Sequence, residues 1–199
     1  VDNVGNTTLL APIEYADISA YEFTGIKDYT FTGDSIYQQE ITSSLPKEQY
    51  VAVNYHNNVH AGKANFLVEG VFPYTIGSKY HEFTINPAQL EGDIEMDTDT
   101  VYFFYHAQAI TPAWKFTNQA YSQLRDRIDY WAEYSNNNYP GTATLTVSGI
   151  GDYTGTFTKQ FTIDKAKLPE DLYHVELPDS DITYDGQQHL AQATKSEGM

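Results

Sequence analysis

Between residues 45 and 163 the sequence repeats itself, and this restricts the fold more than any other feature. Tyr55-His56-Asn57-Asn58, Ala61-Gly62-Lys63-Ala64, Gly70 and Tyr74-Thr75 recur 79 residues on. The counterparts are Tyr134-Ser135-Asn136-Asn137, Pro140-Gly141-Thr142-Ala143, Gly149 and Tyr153-Thr154. Leu45 and Leu124 extend the match upstream at the same spacing. After the last landmark the spacing falls to 78, and Phe83-Thr84-Ile85 matches Phe161-Thr162-Ile163. One residue is therefore dropped in the intervening turn. A fixed period means a module built more than once along the chain. A third start, Tyr184-Asp185-Gly186, stands where Tyr105-His106-Ala107 and Phe31-Thr32-Gly33 stand earlier. The expected organisation is repeat one over 1–86, repeat two over 87–164 and the truncated start of a third over 165–199.

Each unit reads as β. Thr142–Ser148 alternates small or polar residues with Ala143, Leu145 and Val147, the period of a half-buried strand. Gly149–Asp152 breaks it, and Thr156–Ile163 forms the next strand. Tyr130–Tyr134 precedes, joined by Asn136-Asn137-Asn138 and Pro140-Gly141, residues suited to a hairpin connection. The first copy repeats the plan over Val51–Tyr55, Lys63–Val68 and Tyr80–Ile85. Asp93–Met96, Val101–Tyr105 and Ile110–Phe116 supply the earlier half of a unit. Tyr121, Leu124, Ile128 and Trp131 sit at helical spacing, but the matching stretch of the first copy contains Pro46, which a helix interior excludes. A helical turn near Ser122–Asp126 and a strand from Asp129 are expected instead. Six to eight strands per unit without a long helix predict an all-β chain of Greek-key sandwiches.

Composition narrows the function classes. Lys and Arg number 11 against 27 Asp and Glu, a net charge of −16. That sign repels nucleic-acid phosphates and anionic membranes. The absence of Cys excludes disulfides, zinc fingers and a thiol nucleophile. Aromatic residues (17 Tyr, 10 Phe, 2 Trp) are too abundant for a disordered chain. No stretch is apolar enough for a transmembrane helix. The start, Val1-Asp2-Asn3, lacks an initiator Met and a leader, which predicts an excised or processed piece.

The strings Tyr134-Ser135-Asn136-Asn137, Gly141-Thr142-Ala143, Gly149 to Thr156, and Phe161-Thr162-Ile163 resemble tandem Ig-like repeats of bacterial surface proteins. MBG-type modules are the nearest such family. Ile182-Thr183-Tyr184-Asp185-Gly186-Gln187 resembles the opening motif of such a module. The resemblance implies extracellular β-sandwich modules in series, secreted or at the bacterial cell surface, acting as non-enzymatic spacers or adhesive stalks. The alternative is a carbohydrate-binding or accessory module of a secreted glycan-active enzyme. A host or cell-surface protein or a glycan is the expected class of partner, with no nucleic acid and no membrane contact within this fragment. The sequence departs from a uniform repeat at two places. His106-Ala107 stands where the third start has Asp185-Gly186, and Phe72-Pro73 stands where the second copy has Gly151-Asp152.

Candidate sites compete with ordinary structural roles. Glu91, Asp93, Glu95, Asp97 and Asp99 alternate, which could gather carboxylates for Ca²⁺ at a joint or line a solvated strand. No Asp-x-Asp-x-Asp-Gly loop is present, so the solvated strand is the expectation. His56 and His60 have a spacing that suits a metal only on a helix; here they fall in a hairpin loop. Trp114, Tyr121, Trp131 and Tyr139 could form a sugar-stacking platform or serve the core. Lys63, Lys159 and Asn58 could take part in an intramolecular crosslink. No carboxylate pair or Ser-His-Asp set stands out, and no Gly-x-Ser-x-Gly elbow occurs. No catalytic, cofactor-binding or metal-ligating residue is therefore assigned. The short joints 86–90 and 164–168 predict limited freedom between units, hence a semi-rigid rod. The stub 169–199 is expected to pair with the second unit or with another copy of the chain, the latter by strand exchange.

Overall fold

The protein is described here by a computed structural model covering residues 13–103, 109–166, 173–176 and 192–195. It is all-β. Helical structure among the described residues is limited to short 3-10 turns at Ile18–Ala20, Lys47–Gln49 and Gln119–Gln123. Among those residues no helix is long and apolar enough to cross a membrane. Contacts divide the chain into two compact units. One comprises Val1–Glu95, Trp114–Glu133 and Leu145–Lys159; the other comprises Met96–Ala113, Tyr134–Thr144 and Gln160–Met199.

The first copy contains β1 (Ala16–Asp17), β2 (Tyr29–Thr30), β3 (Tyr50–His56), β4 (Gly62–Gly70), β5 (Thr75–Ile76) and β6 (Ser78–Asn86). Its main sheet has the order β2-β6-β4-β3. β3, β4 and β6 form the expected antiparallel meander, with Ala52 opposite Val68 and Ala64 opposite Phe83. The edge strand β2 runs parallel to β6, with Tyr29 opposite Ile85. A purely antiparallel Greek key has no such pair. The parallel edge forces residues 31–49 to cross over the sheet, since a hairpin cannot join strands of the same direction. The crossing segment forms a second layer. Thr24 and Thr42 exchange backbone hydrogen bonds. The buried Gln38 side chain accepts from Lys27 N–H at 2.9 Å and donates to Lys27 C=O at 2.8 Å.

Between the layers lies an aromatic core. Phe66, Ala64 and Val68 project from one face of β4 and are fully buried. Phe66 stacks on Tyr55 at 5.0 Å and on His81 at 5.6 Å, while Phe23, next to the Thr24–Thr42 bridge, meets Tyr50 edge-on at 5.1 Å. Burial of aromatic area is the main stabilising term in a sheet layer this small. His81 is the polar intruder. Its Nε2 is buried without a hydrogen-bond partner. Burial lowers its pKa, Lys79 adds to the shift, and Glu22 opposes it. A histidine depressed in the folded state contributes stability above its unfolded pKa, about 6.5, and loses it as pH falls through the lower folded value. The urea midpoint of the wild type should therefore fall on acidification from pH 7 to 5, and His81→Phe should flatten that part of the profile.

The second copy contains β7 (Ala88–Gln89), β8 (Ile94–Met96), β9 (Thr100–Phe103), β10 (Trp114–Phe116), β11 (Tyr130–Ser135), β12 (Gly141–Gly149), β13 (Tyr153–Thr154) and β14 (Thr156–Lys165). Its main sheet, in the order β11-β12-β14-β9, reproduces the first, including a parallel edge with Val101 opposite Ile163. β4 and β12 share one burial pattern residue for residue, with Ala143, Leu145 and Val147 in place of Ala64, Phe66 and Val68. The β8–β10 pair occupies the place of the Thr24–Thr42 bridge. The expected strand Ile110–Phe116 begins only at Trp114. Pro112 precedes it and has no N–H to give a ladder. The 3-10 turn Gln119–Gln123 starts slightly before the expected Ser122–Asp126.

The constant spacing of 79 conceals two compensating shifts. Asn54, with φ 53°, is one extra residue in a bulge of β3. Arg127, with φ 63°, is one extra residue in the turn before β11. Val71 N–H donates to Gln49 C=O and Ile150 N–H to Asp129 C=O, so Gln49 matches Asp129 at a spacing of 80. From there to the bulge Tyr50 matches Tyr130 and Val51 matches Trp131, which restores the shared in-and-out alternation.

The stub contains β15 (Tyr173–Glu176) and β16 (Gln192–Lys195), which pair antiparallel, Val175 opposite Ala193. The two strands of the stub thus pair with each other, and the expected pairing with the second unit or another chain concerns their outer edges. Self-pairing satisfies the inner edge of each strand. Tyr184-Asp185-Gly186 and Tyr105-His106-Ala107 lie outside the described residues.

Candidate functional site: the junction between the copies

Each hairpin loop between the second and third strands of the main sheet depends on two Asn. Asn57 and Asn136 both adopt φ 55°, which Asn tolerates better than most residues. Asn58 then donates its Nδ2 to Ile36 C=O at 2.9 Å, and Asn137 donates to Ile110 C=O at 3.0 Å. Their backbone carbonyls accept from Ile36 and Ile110 N–H in return. This anchors the loop to the crossing segment and leaves the next residues, 59–61, at the rim of the first copy. There His60 stacks on Phe31, centroids 6.4 Å apart and planes 13° from parallel.

The turn of the second copy meets that rim. Asp152 Oδ1 accepts from Ala61 N–H at 2.6 Å, and Oδ2 lies 2.7 Å from His60 Nδ1. Tyr153 meets the Phe31 ring edge-on at 5.4 Å. Asp152 is mostly covered, with 17% of its side chain exposed, whereas the His60 side chain is 77% exposed. A carboxylate that accepts a backbone N–H and faces an imidazole makes a directional clamp. The connection adds constraint. β6 ends at Asn86 and β7 begins at Ala88, so Pro87 alone joins the copies. β7 is held in turn by β13, through Ala88 N–H to Asp152 C=O at 2.9 Å and Leu90 N–H to Thr154 C=O at 2.8 Å. The five-residue joint 86–90 is thus largely strand, and Leu90 is buried.

The other candidates are dispersed. Glu95 faces Lys115 at 3.3 Å, and Asp93 lies 3.8 Å from Lys159 and caps Ile94 N–H. Glu91, Asp97 and Asp99 are exposed. Among the described residues no group of three or more His, Asp or Glu is placed to hold a metal ion. His56 is paired in the sheet opposite Asn65 and is not brought to His60. Trp114 packs edge-on against Phe116 at 5.2 Å and Tyr130 at 5.5 Å. Tyr121 joins that cluster through Phe116 and accepts from Glu91 N–H at its hydroxyl. Trp131 points the other way, 45% exposed, with the Arg127 guanidinium 5.3 Å from its ring centre. Tyr139 stacks on Phe103 at 6.3 Å. The four aromatics therefore do not form one platform. Lys63 Nζ bonds Thr84 Oγ1 on the exposed surface, and Asn58 is committed to its loop, so neither sits in a buried crosslink.

Sequence reasoning passed over Asp152. Its signal was present: Gly151-Asp152 departs from Phe72-Pro73, and the departure falls in the turn that touches the neighbouring copy. No protein-family model and no curated protein matches the chain.

Proposed function

We propose that the chain is a non-enzymatic fragment of a secreted or surface-anchored bacterial protein, built from Ig-like β-sandwich repeats that act as a spacer or adhesive stalk. Support for the sandwich comes from the two layers in each copy, the main sheet and the short pair that covers it. The reading of residues 165–199 as the start of a third unit is supported by β15 and β16, a short two-stranded pair as β8 and β10 are. The observation that carries the spacer role is the junction: one connecting residue, Pro87, and the Asp152 clamp. A binding module needs no such coupling between copies, whereas a spacer transmits length and load through it.

The carbohydrate-binding alternative rests chiefly on Trp131, an exposed indole beside Arg127. Screening the chain against a glycan array should give no signal that Trp131→Ala removes. A reproducible glycan signal lost in Trp131→Ala would replace the spacer reading with the binder.

A further inference from the structure

The first copy encloses an imidazole that its surroundings accept only in the neutral form, and we propose that His81 is an acid-sensitive latch: when it takes a proton, segment 21–25 lifts off the main sheet. The ring touches two others. It stacks on Phe66 of β4 at 5.6 Å and meets Phe23 of that segment edge-on at 5.7 Å. Both phenylalanines are buried. His81 Nε2 is buried and has no hydrogen-bond partner among the described residues. A neutral ring can leave that nitrogen as a bare lone pair, whereas a charged ring must carry an N–H there with no acceptor.

The charged groups around the ring work in the same sense. Lys79 stands two residues earlier on the same side of β6. Its Nζ donates to Tyr21 C=O at 2.7 Å and to Glu22 Oε1 at 2.9 Å. A proton on His81 therefore sets a second cation beside the one that ties the segment down. Glu22 is the opposing carboxylate, but its side chain is 87% exposed and already paired with Lys79. β4 offers Phe66, which carries no charge. Burial first and Lys79 second hold the His81 pKa below its ordinary value, with Glu22 acting the other way. The second copy has Lys159 at the matching position, 78 residues on. That side chain is 39% exposed and lies 3.8 Å from Asp93, so a permanent charge there reaches both water and a carboxylate. The latch is thus particular to the first copy.

What yields depends on how each side of the ring is held. β6 is laddered to β4 from Gly62 opposite Ile85 to Glu69 opposite Ser78, and to β2 on its other edge. Segment 21–25 is held by the Lys79 bonds, by the Thr24–Thr42 bridge and by Phe23 against Tyr50. Local opening takes the least bonded element first. Lifting it gives the imidazolium water and uncovers the Phe66 ring stack. This inference rests on the core of the first copy and not on the spacer reading.

Amide hydrogen exchange of the whole chain, corrected for the intrinsic rate at each pH, tests it. The Thr24 and Thr42 amides donate to each other's carbonyls at 2.9 and 3.0 Å. Their protection should fall about tenfold between pH 7 and pH 5. At pH 5 it should also depend little on added urea, the sign of a local opening, whereas β4 amides should exchange with the full urea slope of global unfolding. His81→Phe should remove the acid loss; if that variant does not fold, His81→Gln gives the same readout. Glu22→Gln should lower protection at both pH values and keep the acid loss. Protection at Thr24 and Thr42 that is unchanged by acid, or that follows the β4 urea slope, overturns the proposal. So does an acid loss that survives His81 replacement, or one that disappears in Glu22→Gln.

Discussion

Phe66→Ala should destabilise the first copy by about 3–5 kcal/mol. Phe66 is fully buried and touches rings on three sides, Tyr55 at 5.0 Å, His81 at 5.6 Å and Phe83 at 6.2 Å. Truncation removes its transfer energy and leaves a cavity lined by flat rings, which cannot collapse into the space without leaving their own rotamers. The second copy carries Leu145 at this position, also fully buried, so the core there is built around a smaller side chain. Urea unfolding followed by near-ultraviolet circular dichroism reads the effect directly. A loss below about 1 kcal/mol would mean that the ring stack does not hold the layers together.

The second large effect belongs to a backbone position. Gly25 has φ 77°, and a Cβ there would lie 2.0 Å from the Glu40 carbonyl oxygen. Gly25 borders the Thr24–Thr42 bridge, where the crossing segment passes closest to the N-terminal part of the copy. Gly25→Ala pays the left-handed penalty of about 1–2 kcal/mol and must also push apart two backbones. The total should exceed about 3 kcal/mol. Gly33 is the natural control. It has φ 89° but nothing within 4 Å of its built Cβ, so Gly33→Ala should show only the conformational penalty. Equal losses at the two positions would show that the close approach of residues 25 and 40 is not part of the native packing.

The residues that stand out in the sequence are those whose role is local. Alternation in Thr142–Ser148 and Lys63–Val68 locates β12 and β4, because period two follows directly from strand geometry. Asn57-Asn58 and Asn136-Asn137 mark the hairpin loops, because their backbone conformation and side-chain bonds are set within a few residues. What depends on distant partners is hidden. The parallel β2–β6 and β9–β14 edges follow from a crossing segment whose path no local pattern records. Asn54 and Arg127 cancel in the spacing, so an unbroken offset of 79 covers a strand that is in fact aligned at 80. Asp152 looks like one more of 27 acidic residues until its two partners, 92 and 91 positions earlier, are seen beside it.

Asp152 clamps the two copies at their junction. The chain has no Cys, so two introduced thiols are the sole labelling sites. Glu48→Cys in the first copy and Thr158→Cys in the second lie on exposed positions of the same compact unit. Double electron–electron resonance between spin labels at these sites should give one narrow distance distribution in the otherwise wild-type chain, broadened by Asp152→Ala. A broad distribution with Asp152 in place, or one that Asp152→Ala leaves unchanged, would contradict the clamp and with it the spacer.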